Sequence, residues 1–346
     1  RHATVERLNE AWGTAYGSFD EAVPPRTEGS TAARDANRAA WYDWADWNMR
    51  RFTDHLLRTK RSVRELHPNV PLCAGGTSSM LSPLLGTTGI DEERNINEVD
   101  DVILHEGNDL LSIDLFHALS DRPKPMVDPE QGGDCSLWLL NYLHGKSAIS
   151  KFWWPKQPSR QFPGSTLGSP VHGNEPIGKV AEHLYTALDV RRLSREMTAF
   201  WDVPKEAAIL YSRTSMIQLP PAWMEAETTP YLRSLRRCYE TARCLDAGLT
   251  FISERQLIEG KADKFKLLIV PSASHLPEGA FAALDGYVRG GGRVCVLAES
   301  LLRDEYDRAA DYLDRWGIHV RGGVSADPIA FGDQVQRYDQ NMERAV

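Results

Sequence analysis

Short apolar segments alternate with helical segments over the last third of this chain, and this alternation constrains its fold more than any other feature. Strands with nearly continuous apolar sequence are typical of parallel sheets that helices cover on both faces. We therefore predict a doubly wound α/β domain over residues 204–322, followed by a tail or the start of a further element at 323–346. The predicted strands are AAILYS from Ala207, FISE from Phe251, KLLIVPS from Lys266 and GRVCVLAE from Gly292. The predicted helices cover about 230–247, 276–290 and 304–316.

A second set of strand-length segments lies in the first part of the chain. A long amphipathic helix is predicted at 37–66, and four short apolar segments follow it at 70–76, 110–116, 123–129 and 147–154. Helical or Gly/Pro-rich sequence separates them, which is typical of parallel βα units. A loop rich in proline and glycine covers 155–176, and a helical pattern at 177–201 leads to a domain boundary near Pro204. We assign residues 1–203 to one domain.

Composition supports two domains and argues against nucleic acid and a membrane as partners. The chain has 346 residues, which exceeds the roughly 250–300 that one core accommodates. Its formal charge of -8 is the wrong sign for a nucleic-acid surface. No apolar run approaches the ~20 residues of a membrane helix. The five cysteines contain no close C-x-x-C pair, which predicts no metal and no disulfide framework and favours a reducing, cytoplasmic compartment. No cofactor is expected.

One acidic residue occupies a position suited to chemistry. Glu130 follows a short apolar strand, and side chains at the carboxyl ends of strands face the catalytic mouth of a βα barrel. Trp153 and Trp154 end the next predicted strand, and indole faces can stack on the apolar faces of sugars. A carboxylate with neighbouring aromatic rings favours carbohydrate chemistry.

Several segments together resemble the family 42 glycoside hydrolases, which are β-galactosidases. The most specific segment is Leu-Asn-Glu-Ala-Trp-Gly-Thr at 8–14, and others in matching order are HPNVPLCAGG, SIDLF, KPMVDPEQ and KFWWPKQPS. The resemblance implies strands five to eight of a (β/α)8 barrel, followed by an amidotransferase-like domain that forms trimers. It covers nearly the whole chain.

The resemblance also implies roles for individual residues. Glu130 matches the nucleophile at the end of strand seven, and Asp114, Trp153 and Trp154 match positions at the barrel mouth. Glu175 matches a sugar-binding glutamate after strand eight. The sequence departs from the family at Asp128-Pro129 and at Pro155-Lys156, so the choice of sugar is less constrained than the reaction type.

A retaining glycosidase also needs a general acid/base. Glu10 follows an asparagine, as the acid/base does in related enzymes, but no strand-like sequence precedes it, and in the family the segment lies downstream of the acid/base strand. We therefore expect the acid/base and strands one to four to lie outside this chain. The first residues also predict an internal start, so a longer polypeptide or a second chain is expected to supply the missing half of the barrel.

The sequence thus favours a retaining glycosidase that cleaves β-galactosides or related β-glycosides of an oligosaccharide through a covalent intermediate. An alternative is an inactive carbohydrate-binding or assembly fragment of a glycosidase-like protein. A thiol amidotransferase is disfavoured because Cys295 lies inside a predicted strand and not on a Gly-x-Cys-x-Gly turn. A homotrimer is expected, with Tyr231 or Leu235 as possible contacts of the second domain.

Overall fold

A computed structural model describes residues 1–25, 30–75, 79–131, 135–151, 177–220, 229–245 and 247–318. The strands are β1 (Ile103–Leu104), β2 (Met126–Gln131), β3 (Lys146–Lys151), β4 (Ala207–Tyr211), β5 (Leu249–Ser253), β6 (Leu267–Val270) and β7 (Arg293–Val296). The helices are α1 (Val5–Trp12), α2 (Ser30–Ala36), α3 (Arg38–Leu66), α4 (Leu85–Thr88), α5 (Glu92–Arg94), α6 (Leu110–Leu119), α7 (Cys135–Leu143), α8 (Ile177–Arg192), α9 (Ser194–Trp201), α10 (Arg213–Gln218), α11 (Pro230–Ala242), α12 (Glu254–Ile258), α13 (Glu278–Arg289) and α14 (Tyr312–Arg315). Within these ranges no helix is both long and apolar enough to cross a bilayer.

The chain divides into two compact units. Residues 44–204 form one unit, called the first unit here. Residues 1–43 group with the chain from 205 onward in the second unit. Long-range hydrogen bonds tie the first residues into the second unit. The Trp41 indole donates to the Ile217 carbonyl at 2.9 Å, and Arg34 donates to the Gln218 carbonyl at 2.9 Å. Contacts between positions so distant in the chain leave no local pattern in the sequence.

The unit of residues 44–204 contains a parallel sheet in the order β1-β2-β3. Ile103 pairs with Met126, and Met126 pairs with Lys146, so the three strands begin at one edge and end at the other. The strands predicted at 123–129 and 147–154 are confirmed in position, although β3 is described only to Lys151. The central strand β2 carries the acidic residues discussed below.

Two predicted strands of this unit are wrong. The segment 110–116 belongs to helix α6, because a short apolar run fits a buried helix as well as a buried strand. Asp109 begins that helix, since its side chain accepts a hydrogen bond from the Leu111 amide. Over 70–75 the described backbone forms no strand; the Asp100 and Asp101 carboxylates accept from the Ala74 and Leu72 amides instead. The strand that precedes β2 is the two-residue β1.

The second unit contains a parallel sheet in the order β5-β4-β6-β7. All five residues of β4 are buried, and β4 pairs with β5 on one side and with β6 on the other. The strands predicted from AAILYS, FISE, KLLIVPS and GRVCVLAE are confirmed, and the strand order is that of a doubly wound sheet.

The predicted helix at 304–316 is mostly wrong, because only α14 forms there. The Asp304 carboxylate accepts hydrogen bonds from the amides of Tyr306 and Arg308, both at 2.9 Å. This local turn competes with helix formation. Asp307 also has a φ of 64°, a left-handed conformation that a helix cannot include.

Helix α3 agrees with the predicted amphipathic helix at 37–66. The Asn37 side chain accepts a hydrogen bond from the Ala40 amide, which caps the first turn. Trp41, Ala45 and Met49, spaced by four residues, are fully buried. The predicted aromatic packing surface is only partly confirmed, since Trp47 is 57% exposed.

The Leu8–Thr14 segment forms helix α1 and the turn that ends it. Gly13 ends the helix in the left-handed region, with a φ of 66°. The Asn9 side chain accepts hydrogen bonds from Thr14 and the Tyr16 amide, and its amide donates to the Tyr16 carbonyl. Trp12 donates to Asp43 at 2.8 Å. These residues therefore hold a turn, and Glu10 is exposed on the helix.

Candidate active site at the ends of three parallel strands

Strand β2 carries two acidic side chains in different surroundings. The register of β2 against β3 shifts between Asp128 and Gln131, so the alternation of side chains is interrupted at Glu130. Asp128 is fully buried, whereas Glu130, next to the strand end, is partly exposed. The Glu130 amide donates to the Asp128 carboxylate at 3.0 Å. A buried acid thus fixes the backbone of an accessible one.

A buried ion pair supports this edge of the sheet. The side chains of Lys146 and Asp128 are both fully buried and form a direct salt bridge. Lys146 also donates to the Gly107 carbonyl at 2.6 Å. Burial lowers the pKa of Lys146, and the hydrogen bond and charge of Asp128 oppose that shift. One ammonium group therefore connects β3 to the backbone after β1 and to the acid of β2.

Glu106 is a second accessible carboxyl at this edge, and the sequence analysis missed it. It lies two residues after β1, beside the end of β2, and is exposed. Desolvation raises the pKa of Glu106, and the hydrogen bond and negative charge of Glu130 raise it further.

The residue before Glu106 is a buried histidine. The His105 amide donates to the Val127 carbonyl at 2.9 Å, and its ring Nε2 lies 2.8 Å from the Ser112 hydroxyl. Its Nδ1 has no hydrogen-bond partner among the described residues. Burial lowers the pKa of His105 to about 3, with a smaller contribution from Lys146. This ring is neutral at physiological pH and packs edge-on against Phe116.

The structure places Asp114 on a helix and not at the end of a strand. Asp114 lies within helix α6, and its carboxylate is 2.7 Å from Nδ1 of His144. His144 comes just before β3, so this pair lies toward the edge where the strands begin. The predicted strand at Asp114 is wrong, because the strand is β1 and Asp114 is on the helix that follows it. The substrate-binding role of Asp114 stays a prediction.

Three predicted site residues lie outside the described residues: Trp153, Trp154 and Glu175. Their sugar-binding roles stay predictions. Within the described ranges no group of three or more His, Cys, Asp or Glu side chains is placed to hold a metal ion.

In the second unit, the carboxyl ends of the four strands form a second edge, where open α/β sheets bind ligands. Ligands of open α/β sheets bind where the strand order reverses, which here is between β4 and β6. At that point the Ser212 and Ser215 hydroxyls both donate to the His275 carbonyl at 2.9 Å. Ser212 is within 2.7 Å of the buried Glu254 carboxyl, which also accepts from Thr214. The protein's own polar groups occupy this crevice, and Cys295 lies inside β7.

Comparison with known proteins finds the same architecture in glycosidases. The chain superposes on the family 42 exo-carrageenase of Bacteroides ovatus with a TM-score of 0.70 and 19% identity, covering 90% of this chain and 46% of that one. A catalytic mutant of a family 42 β-galactosidase from G. stearothermophilus gives a TM-score of 0.65 and 21% identity, covering 88% and 48%. The cold-adapted β-galactosidase from Rahnella sp. R3 gives 0.62 and 17%, covering 89% and 48%.

Sequence comparison is consistent with this result over a shorter range. A β-galactosidase of Arthrobacter sp. is 33% identical over 90 residues, which are 23% of this chain and 12% of that protein. No protein-family model matches the chain. The chain spans about half the length of the similar solved structures. It therefore has the fold of the corresponding part of family 42 glycoside hydrolases.

Proposed function

We propose that the complete protein is a retaining glycosidase that cleaves β-galactosides or related β-glycosides, with Glu130 as the nucleophile. The observation that carries this proposal is the position of Glu130, a partly exposed carboxyl near the end of the central strand, with its backbone fixed by a buried acid. The β-galactosidase fold of the similar structures supports the substrate class.

In this mechanism the Glu130 carboxylate attacks the anomeric carbon of the sugar. The glycosidic bond breaks, the leaving oxygen takes its electron pair, and a general acid gives that oxygen a proton. Water then cleaves the glycosyl ester and restores the carboxylate. We place the general acid outside this chain, because Glu10 is an exposed residue of helix α1. Trp153, Trp154 and Glu175 stay in the proposal as sugar-binding residues.

Glu130→Gln in the complete protein tests the nucleophile. The substitution keeps the shape of the side chain and removes its charge, so hydrolysis of an aryl β-galactoside should fall about 10²-fold or more. Retention of more than about a tenth of the wild-type rate would exclude Glu130 as the nucleophile.

Glu10→Ala is the matched control for a carboxyl outside the site. It should change the rate by less than about threefold, since a missing general acid costs about 10²-fold or more. A large loss that added azide rescues would identify Glu10 as the acid/base and contradict its placement here.

A further inference from the structure

The end of β2 lies in an irregular part of the first sheet. β1 pairs with β2 at Met126 and Val127, before this segment begins. Between Asp128 and Gln131 the register against β3 shifts, because three steps along β2 correspond to two steps along β3. A bulge of this kind interrupts the ladder and re-aims side chains. The backbone of Glu130 therefore depends on contacts other than regular strand pairing.

Asp128 supplies such a contact. Its Oδ1 accepts a hydrogen bond from the Glu130 amide at 3.0 Å. Pro129 lies between the two residues, and its ring fixes φ at about −65° and keeps the residue before it out of the helical region. One side-chain acceptor and one rigid residue thus define the turn that presents Glu130. The sequence departs from family 42 at these same two positions, Asp128 and Pro129.

A buried counter-ion holds Asp128 in place. The Lys146 ammonium donates to Oδ2 of Asp128, which leaves Oδ1 for the Glu130 amide. Lys146 also donates to the Gly107 carbonyl at 2.6 Å, so the ammonium has a second anchor. The side chains of this ion pair are fully buried, and such pairs are often no more stabilising than two apolar side chains of similar volume. Stability alone does not explain the pair, and its hydrogen bond to Glu130 indicates a role in the site.

We propose that Asp128 is a positioning residue for the nucleophile: its carboxylate holds the Glu130 amide and sets the direction from which the Glu130 carboxylate approaches the sugar. This inference rests on the proposed function. Asp128 gains and loses no proton, and all bonds to the sugar form and break at Glu130. Lys146 acts on Glu130 through Asp128.

Paired substitutions in the complete protein test this role without leaving a buried charge unpaired. Asp128→Asn with Lys146→Met removes both charges but keeps a side-chain oxygen for the Glu130 amide, so kcat should stay within about threefold of wild type. Asp128→Leu with Lys146→Met removes that oxygen, and kcat should fall about 10- to 100-fold while KM changes less than about threefold. Circular dichroism checks that each variant is folded. Asp128→Ala with Lys146→Met replaces the leucine variant if that one does not fold.

Asp304→Leu is the matched control. Asp304 also accepts a hydrogen bond from the amide two residues further on, that of Tyr306 at 2.9 Å, but it lies in the second unit. Its kcat should match wild type. If Asp128 had only a structural role, the leucine variant would lose folded protein but would keep the wild-type kcat for each folded molecule.

A 2-deoxy-2-fluoro β-galactoside, which traps the glycosyl ester, separates this inference from the proposed function. We expect mass spectrometry to find the label on Glu130 in wild type, and the leucine variant to label about 10-fold more slowly or worse. Wild type without a label on Glu130 would overturn the proposed function and, with it, the role of Asp128. Wild type labelled on Glu130 together with a leucine variant of unchanged kcat would overturn the positioning role alone. An asparagine variant as slow as the leucine variant would also overturn it.

Discussion

Glu254 is a buried carboxyl whose surroundings favour its neutral form. It begins helix α12 at the end of β5 and lies among hydroxyl groups. The Ser212 hydroxyl lies 2.7 Å from one carboxyl oxygen, and the Thr214 hydroxyl lies 2.8 Å from the other. Burial raises the pKa of Glu254 to about 7, although these hydrogen bonds act in the opposite direction. The folded protein therefore retains a proton here at pH values where an exposed glutamate is ionised.

This proton makes the stability of the protein depend on pH. Between pH 4.5 and 7 the unfolded state loses the Glu254 proton while the folded state keeps it, so stability decreases as the pH rises through this range. The contribution is about 2–3 kcal/mol between pH 5 and 8. The glutamine of Glu254→Gln resembles the neutral acid, so this variant should not lose stability between pH 5 and 8 through this group. Urea denaturation at both pH values measures the effect. Glu278→Gln, at an exposed site, should keep it; an unchanged pH dependence in Glu254→Gln would contradict the assignment.

At the residue scale, the sequence predicts that Glu130 lies at a strand end but does not predict the same of Glu106. Glu130 follows a recognisable apolar strand flanked by prolines, so its position at a strand end is readable. Glu106 follows β1, which has only two residues and no periodicity to detect. The apolar segment at 110–116 fits the strand pattern better than β1 does. The sequence therefore predicts the strand end near Asp114.

Among the elements, β3 depends on an interaction that no local pattern reveals. Lys146 at its first residue reaches Asp128 of β2 and the Gly107 carbonyl after β1. Strands β4 and β6 are continuous apolar runs and are buried as their sequences predict, whereas β7 begins with an arginine and is only partly buried. The sequence distinguishes a strand from a helix only where the segment length and the flanking turns favour the same element. They do so for the four-stranded sheet.

Lys146→Met should destabilise the first unit strongly. The substitution preserves the length of the side chain but leaves Asp128 as an uncompensated buried charge, which costs about 3–5 kcal/mol. Arg192→Met is the matched control, because its partner Asp189 is exposed. That change should cost less than about 1 kcal/mol. Urea denaturation measures both effects, and a loss of under about 1 kcal/mol for Lys146→Met would show that the pair is not buried as described.

At the scale of the whole molecule, the structure changes which residues can form contacts between subunits. The contacts suggested by the sequence, Tyr231 and Leu235, are wrong because both side chains are buried in the second unit. The Tyr231 hydroxyl accepts from the Ser212 amide at 2.6 Å, so it belongs to the interior. Helix α11 is amphipathic, and the sequence alone does not say whether its apolar face meets the sheet or a neighbouring subunit.

The resemblance to family 42 implies a homotrimer, and we propose that the doubly wound domain serves assembly, since Ser212, Ser215 and Glu254 fill its crevice. A sheet whose ligand crevice is filled is better suited to packing than to catalysis. Specific interfaces bury on the order of 1,600 Å², so one oligomeric species should persist at micromolar concentration in sedimentation equilibrium. A monomer throughout that range would contradict the assembly role.

The shared contact at Lys146 affects how the two carboxyls at the strand ends move. Gly107, next to Glu106, and Asp128, which holds the Glu130 amide, are both bonded to the same ammonium group. A substitution at Lys146 should therefore alter the backbone beside both acids at once, although Lys146 lies on β3, which carries neither of them.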